Sequence, residues 1–114
     1  MFVVRTTFTL DPAYEDRAEE SITTLAAHAR EEDGTVAYDA TRDLLDPATV
    51  HFFELYADRA AAERHTDSDP YRAFVRALPE LADGDLETRQ FETDDGDRYT
   101  FSPDEAVASL DSED

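Results

Sequence analysis

A chain of 114 residues with ten arginines, no lysine, twenty-nine carboxylates and a formal net charge of −19 is one small domain whose surface repels itself at ordinary ionic strength. In molar salt the Debye length falls to about 3 Å, so acid spread along the whole chain points to a salt-rich cytoplasm, as in a halophile, rather than to an acidic tail on an ordinary domain or a site for a basic partner. The lack of cysteine excludes disulfides, thiolate metal sites and a cysteine nucleophile, and no basic patch is available for nucleic-acid phosphates.

The N-terminus, Met1 to Arg5, has neither the basic region nor the long apolar core of a signal peptide. No run of about 18 apolar residues follows, so a cytoplasmic chain without a membrane span is expected. Phe2 to Leu10 is rich in β-branched and aromatic residues, with Phe2, Val4, Phe8 and Leu10 on one parity, and reads as a strand. Asp11-Pro12 supplies an N-cap and a proline at the first helical position. Ala18, Ile22, Leu25 and Ala29 then recur on one helical face up to about Glu32, and Gly34 stops the helix.

Val36, Tyr38 and Ala40 alternate in a second strand, Thr35 to Arg42, and Asp43 to Pro47 has turn chemistry. Val50 to Ala57 is apolar on both parities, as in a strand covered on both faces. Asp58 caps a short helix carrying Ala61, Ala62 and His65. Ser68-Asp69-Pro70 begins another, with Tyr71, Phe74, Ala77 and Leu78 inward and Pro79 expected to prevent a long continuation. Leu86 to Phe91 makes a fourth strand.

The order β-α-β-β-α-β predicts an α+β, ferredoxin-like domain over residues 1–93: an antiparallel four-stranded sheet with helices on one face. Residues 94–114 form an acidic C-terminal extension, including Ser112-Glu113-Asp114, in which Tyr99 and Phe101 are expected to add a short strand or an arm across a partner. Val3, Phe53 and Leu55 fall on the parity away from the helices, so a bare apolar sheet face and a homodimer are expected.

Phe2–Leu10, Glu32-Asp33-Gly34-Thr35-Val36-Ala37-Tyr38, Arg42-Asp43, Phe52-Phe53-Glu54-Leu55-Tyr56-Ala57-Asp58, Ala62-Glu63-Arg64-His65 and Tyr71-Arg72-Ala73-Phe74 stand in the order and spacing of a known domain. Over residues 1–93 the chain resembles the antibiotic biosynthesis monooxygenase family, and most closely its quinol-monooxygenase-like branch. The resemblance implies a dimeric α/β barrel, two sheets packed face to face, with a pocket between each sheet and its helices. It also implies oxidation of a small electron-rich aromatic by molecular oxygen with neither metal nor flavin as cofactor.

His65 occupies the family's histidine position, and histidine as a residue type suits proton transfer near neutrality. It is either the base or shuttle, or a buried anchor for its helix. Glu54 and Tyr56 share one face of their strand. A carboxylate there needs a partner, so Glu54 has a proton-transfer role or a salt bridge to Arg42 or Arg72. Tyr56 stands where the family usually has tryptophan, and Thr6 where haem-degrading relatives have asparagine, which argues against haem degradation. Thr6, Tyr38, Arg42, Arg72 and Phe74 are the expected substrate-binding residues, with Arg72 as partner of a developing anion. His28 and His51 are expected at a surface or interface. No histidine pair has metal-ligand spacing, and three glycines provide no phosphate loop. The alternative to an oxygenase is a non-catalytic small-molecule-binding or stress-response barrel, which a pocket too small for one aromatic ring would favour.

Overall fold

The computed structural model describes residues 1–111, and Ser112-Glu113-Asp114 lie outside the described residues. The strands are β1 (Phe2–Thr9), β2 (Thr35–Arg42), β3 (Thr49–Tyr56) and β4 (Glu87–Glu92). The helices are α1 (Glu15–Glu31), α2 (Arg59–Asp67), α3 (Asp69–Leu81) and α4 (Pro103–Asp111), with a 3₁₀ turn at Pro12–Tyr14. All neighbouring strands run antiparallel in the order β2-β3-β1-β4. This is the expected ferredoxin-like fold, in which two β-α-β halves interleave in one sheet.

Local chemistry sets the element boundaries. Asp11 Oδ1 accepts from Ala13 N at 3.0 Å in the 3₁₀ turn, and Asp58 Oδ1 accepts from Ala61 N at 2.9 Å in α2, so each satisfies one orphan donor. The core of α1 against the sheet is Ala18, Ile22, Leu25 and Ala29 meeting Phe8, Leu10, Val50 and Phe52. As expected, α3 makes no long continuation past Pro79 and ends two residues later at Leu81. Pro79 falls in the last turn, where few backbone bonds remain to be lost. Leu81 is fully buried, and its carbonyl accepts from Asp11 N at 2.9 Å, which holds the helix end in place.

Cross-strand register arranges the helix-facing side as rows. Tyr38, Glu54, Val4 and Gln90 form one row across β2, β3, β1 and β4, and Ala40, Phe52, Thr6 and Thr88 form the next. The opposite face carries Val3, Phe53, Leu55 and Phe91, as strand alternation requires, with Phe53 43% and Phe91 49% exposed. The strand expected around Tyr99 and Phe101 is not formed. The two rings meet each other tilted, with centroids 6.1 Å apart, and stay exposed, and α4 follows instead.

One glycine draws two elements together. Gly34 has φ +85°, a conformation that L side chains rarely adopt. A Cβ there would sit 2.6 Å from Ala61 Cβ, so only glycine lets α2 approach the α1–β2 turn this closely. The carbonyl of Gly34 accepts from Ala57 N at 2.8 Å, and the carbonyl of Asp33 accepts from Arg64 at 3.3 Å, fixing that approach.

Candidate active site

A cavity of about 320 Å³ lies between the sheet and the helices. Its floor is Phe2, Val4, Thr6, Phe52, Glu54 and Tyr56, all on the inward parity of β1 and β3. Tyr38 of β2 and Tyr71 and Phe74 of α3 make aromatic walls, while Thr88 and Gln90 of β4 and Arg59 of α2 stand at the rim. Cavities of this size hold small organic ligands.

Glu54 is the chemically active feature of the floor. Only 8% exposed, it accepts a 2.5 Å hydrogen bond from the Tyr56 hydroxyl. Burial raises the pKa of its carboxyl, opposed by the Tyr56 bond and by nearby His65. No arginine reaches it. Arg42 instead bonds Glu15, Glu19 and the Pro47 carbonyl, and Arg72 is exposed, 3.9 Å from Asp67. Neither arginine lines the cavity, so the expected salt bridge and the expected anion-binding role of Arg72 are both corrected. The physical reason is position: Arg42 ends β2 beside the first turn of α1, and Arg72 lies on the solvent side of α3. The cation at the cavity is Arg59, stacked 4.6 Å over the Phe2 ring and paired with Glu92 at 3.0 Å.

His65 is 1% exposed and lies behind the cavity wall rather than on it. The rings of Tyr38 and Tyr71 sit 5.2 Å from the imidazole and that of Tyr56 6.0 Å. Its Nδ1 bonds Glu32 Oε1 at 2.7 Å, while Nε2 is buried with no hydrogen-bond partner among the described residues, 3.9 Å from Glu54 Oε1. The anchor reading is met on one side only, and by a side chain instead of the backbone.

The three phenols are hydrogen-bond donors rather than bases. Burial, and then the neighbouring Glu54, push the pKa values of Tyr38, Tyr56 and Tyr71 upward. Thr6 Oγ1 and Thr88 Oγ1 share a 2.9 Å hydrogen bond at the floor's other end. Of the sequence candidates, the fold therefore gathers Glu54, Tyr56, Thr6, Tyr38 and Phe74 around one cavity, with His65 directly behind. Glu32, Arg59 and Gln90 were not among them. Glu32 lies in a quoted motif segment, but among twenty-nine acids no pattern marks it. Among the described residues no group of three histidine, aspartate or glutamate side chains is arranged to hold a metal ion.

Known proteins can now be set beside this geometry. The family model described as "Antibiotic biosynthesis monooxygenase" matches residues 1–77. The crystal structure of PA3566 from Pseudomonas aeruginosa is 26% identical, with a TM-score of 0.73 over 81% of this chain and 92% of that one. A crystal structure named antibiotic biosynthesis monooxygenase is 24% identical, with a TM-score of 0.76 over 82% of this chain and 98% of that one. Rv0793 from Mycobacterium tuberculosis is 21% identical, with a TM-score of 0.77 over 83% and 96%. No curated protein matches the sequence. With its model matching two thirds of the residues and its fold shared with these structures, the chain belongs to the antibiotic biosynthesis monooxygenase family.

Proposed function

We propose that this protein is a cofactor-independent monooxygenase acting on a small electron-rich aromatic of the quinol type. The observation that carries the reading is a single buried carboxylate, Glu54, on the floor of a cavity walled by the rings of Tyr38, Tyr71 and Phe74. A bound phenol donates its hydroxyl to Glu54, which takes the proton as general base. The resulting phenolate is electron-rich enough to reduce molecular oxygen directly. For a quinol the balance closes without another reductant: one oxygen atom enters the ring, the other leaves as water, and the ring becomes a hydroxyquinone. Tyr38, Tyr71 and Phe74 hold the ring, and the Tyr56 hydroxyl stabilises charge at Glu54. Arg59 takes the anion-partner role at the rim.

The non-catalytic barrel is less well supported. A dry apolar cavity of about 150 Å³ already admits benzene, and the present one holds about 320 Å³. The deciding experiment is oxygen uptake by purified protein in molar salt with a panel of hydroquinones and anthrones. Uptake with at least one, and oxygen recovered in product and water, is expected. No uptake, alongside thermal stabilisation by the same compounds, would replace the oxygenase with the binding module.

The acidity and the sheet's outer face belong to the same proposal. A halophilic cytoplasm accounts for −19 charges on 114 residues, and a second copy accounts for Phe53 and Phe91 exposed beside Val3 and Leu55. Packing the two sheets together buries that patch on a two-fold axis. Since both copies are acidic, light scattering should show a dimer in molar salt that loosens on dilution into low salt. A monomer at high salt and high concentration would overturn the barrel.

A further inference from the structure

For Glu54 to be free as a base while the phenolate reacts, the proton it takes must have somewhere to wait until water is formed. Behind Glu54 the fold provides a row of groups that ends at solvent. His65 Nε2 lies 3.9 Å from Glu54 Oε1 and, though buried, has no hydrogen-bond partner among the described residues. On the other side of the ring, Nδ1 meets Glu32 Oε1 at 2.7 Å. The Glu32 side chain, at the C-cap of α1 where the chain turns toward β2, is 26% exposed. Gly34 creates this arrangement, because α2 could not otherwise approach the turn that carries Glu32.

We propose that Glu32 and His65 form a proton exit for Glu54, leading from the cavity floor to solvent at the α1–β2 turn. The proposal rests on the reading of Glu54 as the base of a phenol site. Ionised Glu32 has only acceptors to offer, so it holds the ring proton on Nδ1 and leaves Nε2 as the acceptor facing Glu54. In the forward direction the phenol O–H bond breaks and its proton joins a Glu54 oxygen. Glu54 then donates a proton to Nε2, and the Nδ1 proton passes to Glu32 and on to water. No electron moves in these steps; when the second oxygen atom leaves as water they run in reverse, Glu32 taking a proton from solvent and passing it to Nδ1 while Nε2 returns its own to Glu54, and the ring regains its Nδ1–H form.

The 3.9 Å separation is about 1 Å longer than a hydrogen bond. Catalytic contacts are commonly loose before substrate binds, and a small torsion of Glu54 away from the Tyr56 hydroxyl closes this one. The titratable groups facing the imidazole are Tyr38 from β2, Glu54 and Tyr56 from β3, Tyr71 from α3 and Glu32 from the turn. The phenols keep their protons, so Glu54 and Glu32 are the groups that can exchange one with the ring. A histidine serving only to anchor its helix has no need of an empty, buried nitrogen aimed at the active carboxylate.

Glu32 is a positioning and relay residue, and its test separates relay from architecture. In Glu32→Gln the amide oxygen still accepts from Nδ1–H but cannot carry a proton onward. Nitrogen-15 NMR of the ring should therefore show the Nδ1–H form in both the native protein and this variant. Proton release on mixing with 4-nitrophenol, followed by stopped flow with a pH indicator, should slow at least about tenfold in Glu32→Gln. Binding of the phenol should change little, and Glu32→Asp should recover most of the rate. Unchanged release in Glu32→Gln, or a native ring protonated on Nε2 with Nδ1 bare, would overturn the exit. Should 4-nitrophenol not bind the native protein, the phenol-site reading falls by itself. The exit is then decided by solvent exchange of the ring Nδ1 proton, which Glu32→Gln must slow by the same factor or the relay falls too.

Discussion

His65 and His51 sit on opposite faces of the same sheet, and each holds a carboxylate with one ring nitrogen. They differ at the other nitrogen. His51, half-buried on the outer face, bonds Thr7 Oγ1 through Nδ1 at 2.9 Å and Asp43 Oδ2 through Nε2 at 3.0 Å. Every position on its ring is used, and the result is a staple joining β1, β3 and the loop after β2. His65 is far more deeply buried, yet it bonds only Glu32 and leaves Nε2 empty. An unpaired polar atom in a low-dielectric site is unfavourable unless something uses it. The comparison therefore separates a structural histidine from one whose spare nitrogen is available for chemistry, and burial alone would have ranked them the same way for the wrong reason.

The largest difference should appear in stability. His65→Ala removes a fully buried ring, opens a void among three tyrosines and strands Glu32, which together should cost about 3–5 kcal/mol. His51→Ala removes two hydrogen bonds at a half-exposed site and should cost about 1 kcal/mol. Guanidinium unfolding at fixed high salt measures both, and equal losses would break the distinction. The second difference is catalytic. Glu54→Gln should lower oxygen uptake by about 100-fold or more, the usual contribution of a positioned base, whereas Asp43→Asn on the outer face should leave the rate unchanged. A Glu54→Gln enzyme that keeps its rate would remove the base from the proposal.

A third test sharpens the comparison through the backbone. Gly34→Ala forces a side chain into a left-handed conformation and into contact with Ala61 Cβ, 2.6 Å away. It should cost about 2 kcal/mol, and it should also move α2 away from the turn. The ring signals of His65 should shift as Glu32 is drawn off, while those of His51 stay put. Shifts at both rings, or at neither, would show that Gly34 does not govern the buried pair.

The two histidines also show what was legible in the sequence. Strand alternation places Glu54 and Tyr56 on the inner face and His51 and Phe53 on the outer one, because the period of a strand is two and admits no other arrangement once one face is covered. The cap at Asp58 and the stop at Gly34 place α2 and the end of α1 in the same way, whereas Asp11 caps only the 3₁₀ turn ahead of α1, whose own N-cap, Tyr14, makes no side-chain bond. The ion pairs were not legible. Arg42 and Arg72 have the charge Glu54 would want, but which of ten arginines meets which of twenty-nine acids depends on where helices cross the sheet. The same holds for Glu32, whose contact with His65 spans 33 positions and is made by helix packing, with no local pattern to announce it. Pro79 was legible as well: the helix ends two residues beyond it, at the buried Leu81.

The smallest expected effect is on the pH dependence of stability, and its sign distinguishes the two faces. Burial raises the Glu54 pKa above the ordinary glutamate value of 4.5. A raised native value means that the folded protein binds more protons than the unfolded chain between the two values. The contribution is then full below the unfolded value and fades as pH rises through the native one. Asp43 is the reverse: the hydrogen bond from His51 lowers its pKa below 3.8. Its contribution is full above that value and is lost as pH falls. Glu54→Gln should therefore flatten the decline in melting temperature on going up from about pH 5. Asp43→Asn should leave that limb alone and soften only the loss on the acid side. Asp43 is 34% exposed and its charge is screened at the salt concentrations used, so the second change should be the smaller. Melting temperatures of the three proteins from acid to neutral pH at constant salt measure both limbs. A decline above pH 5 that survives Glu54→Gln would mean that the carboxylate on the cavity floor is solvated, which would remove the physical basis for its holding a substrate's proton.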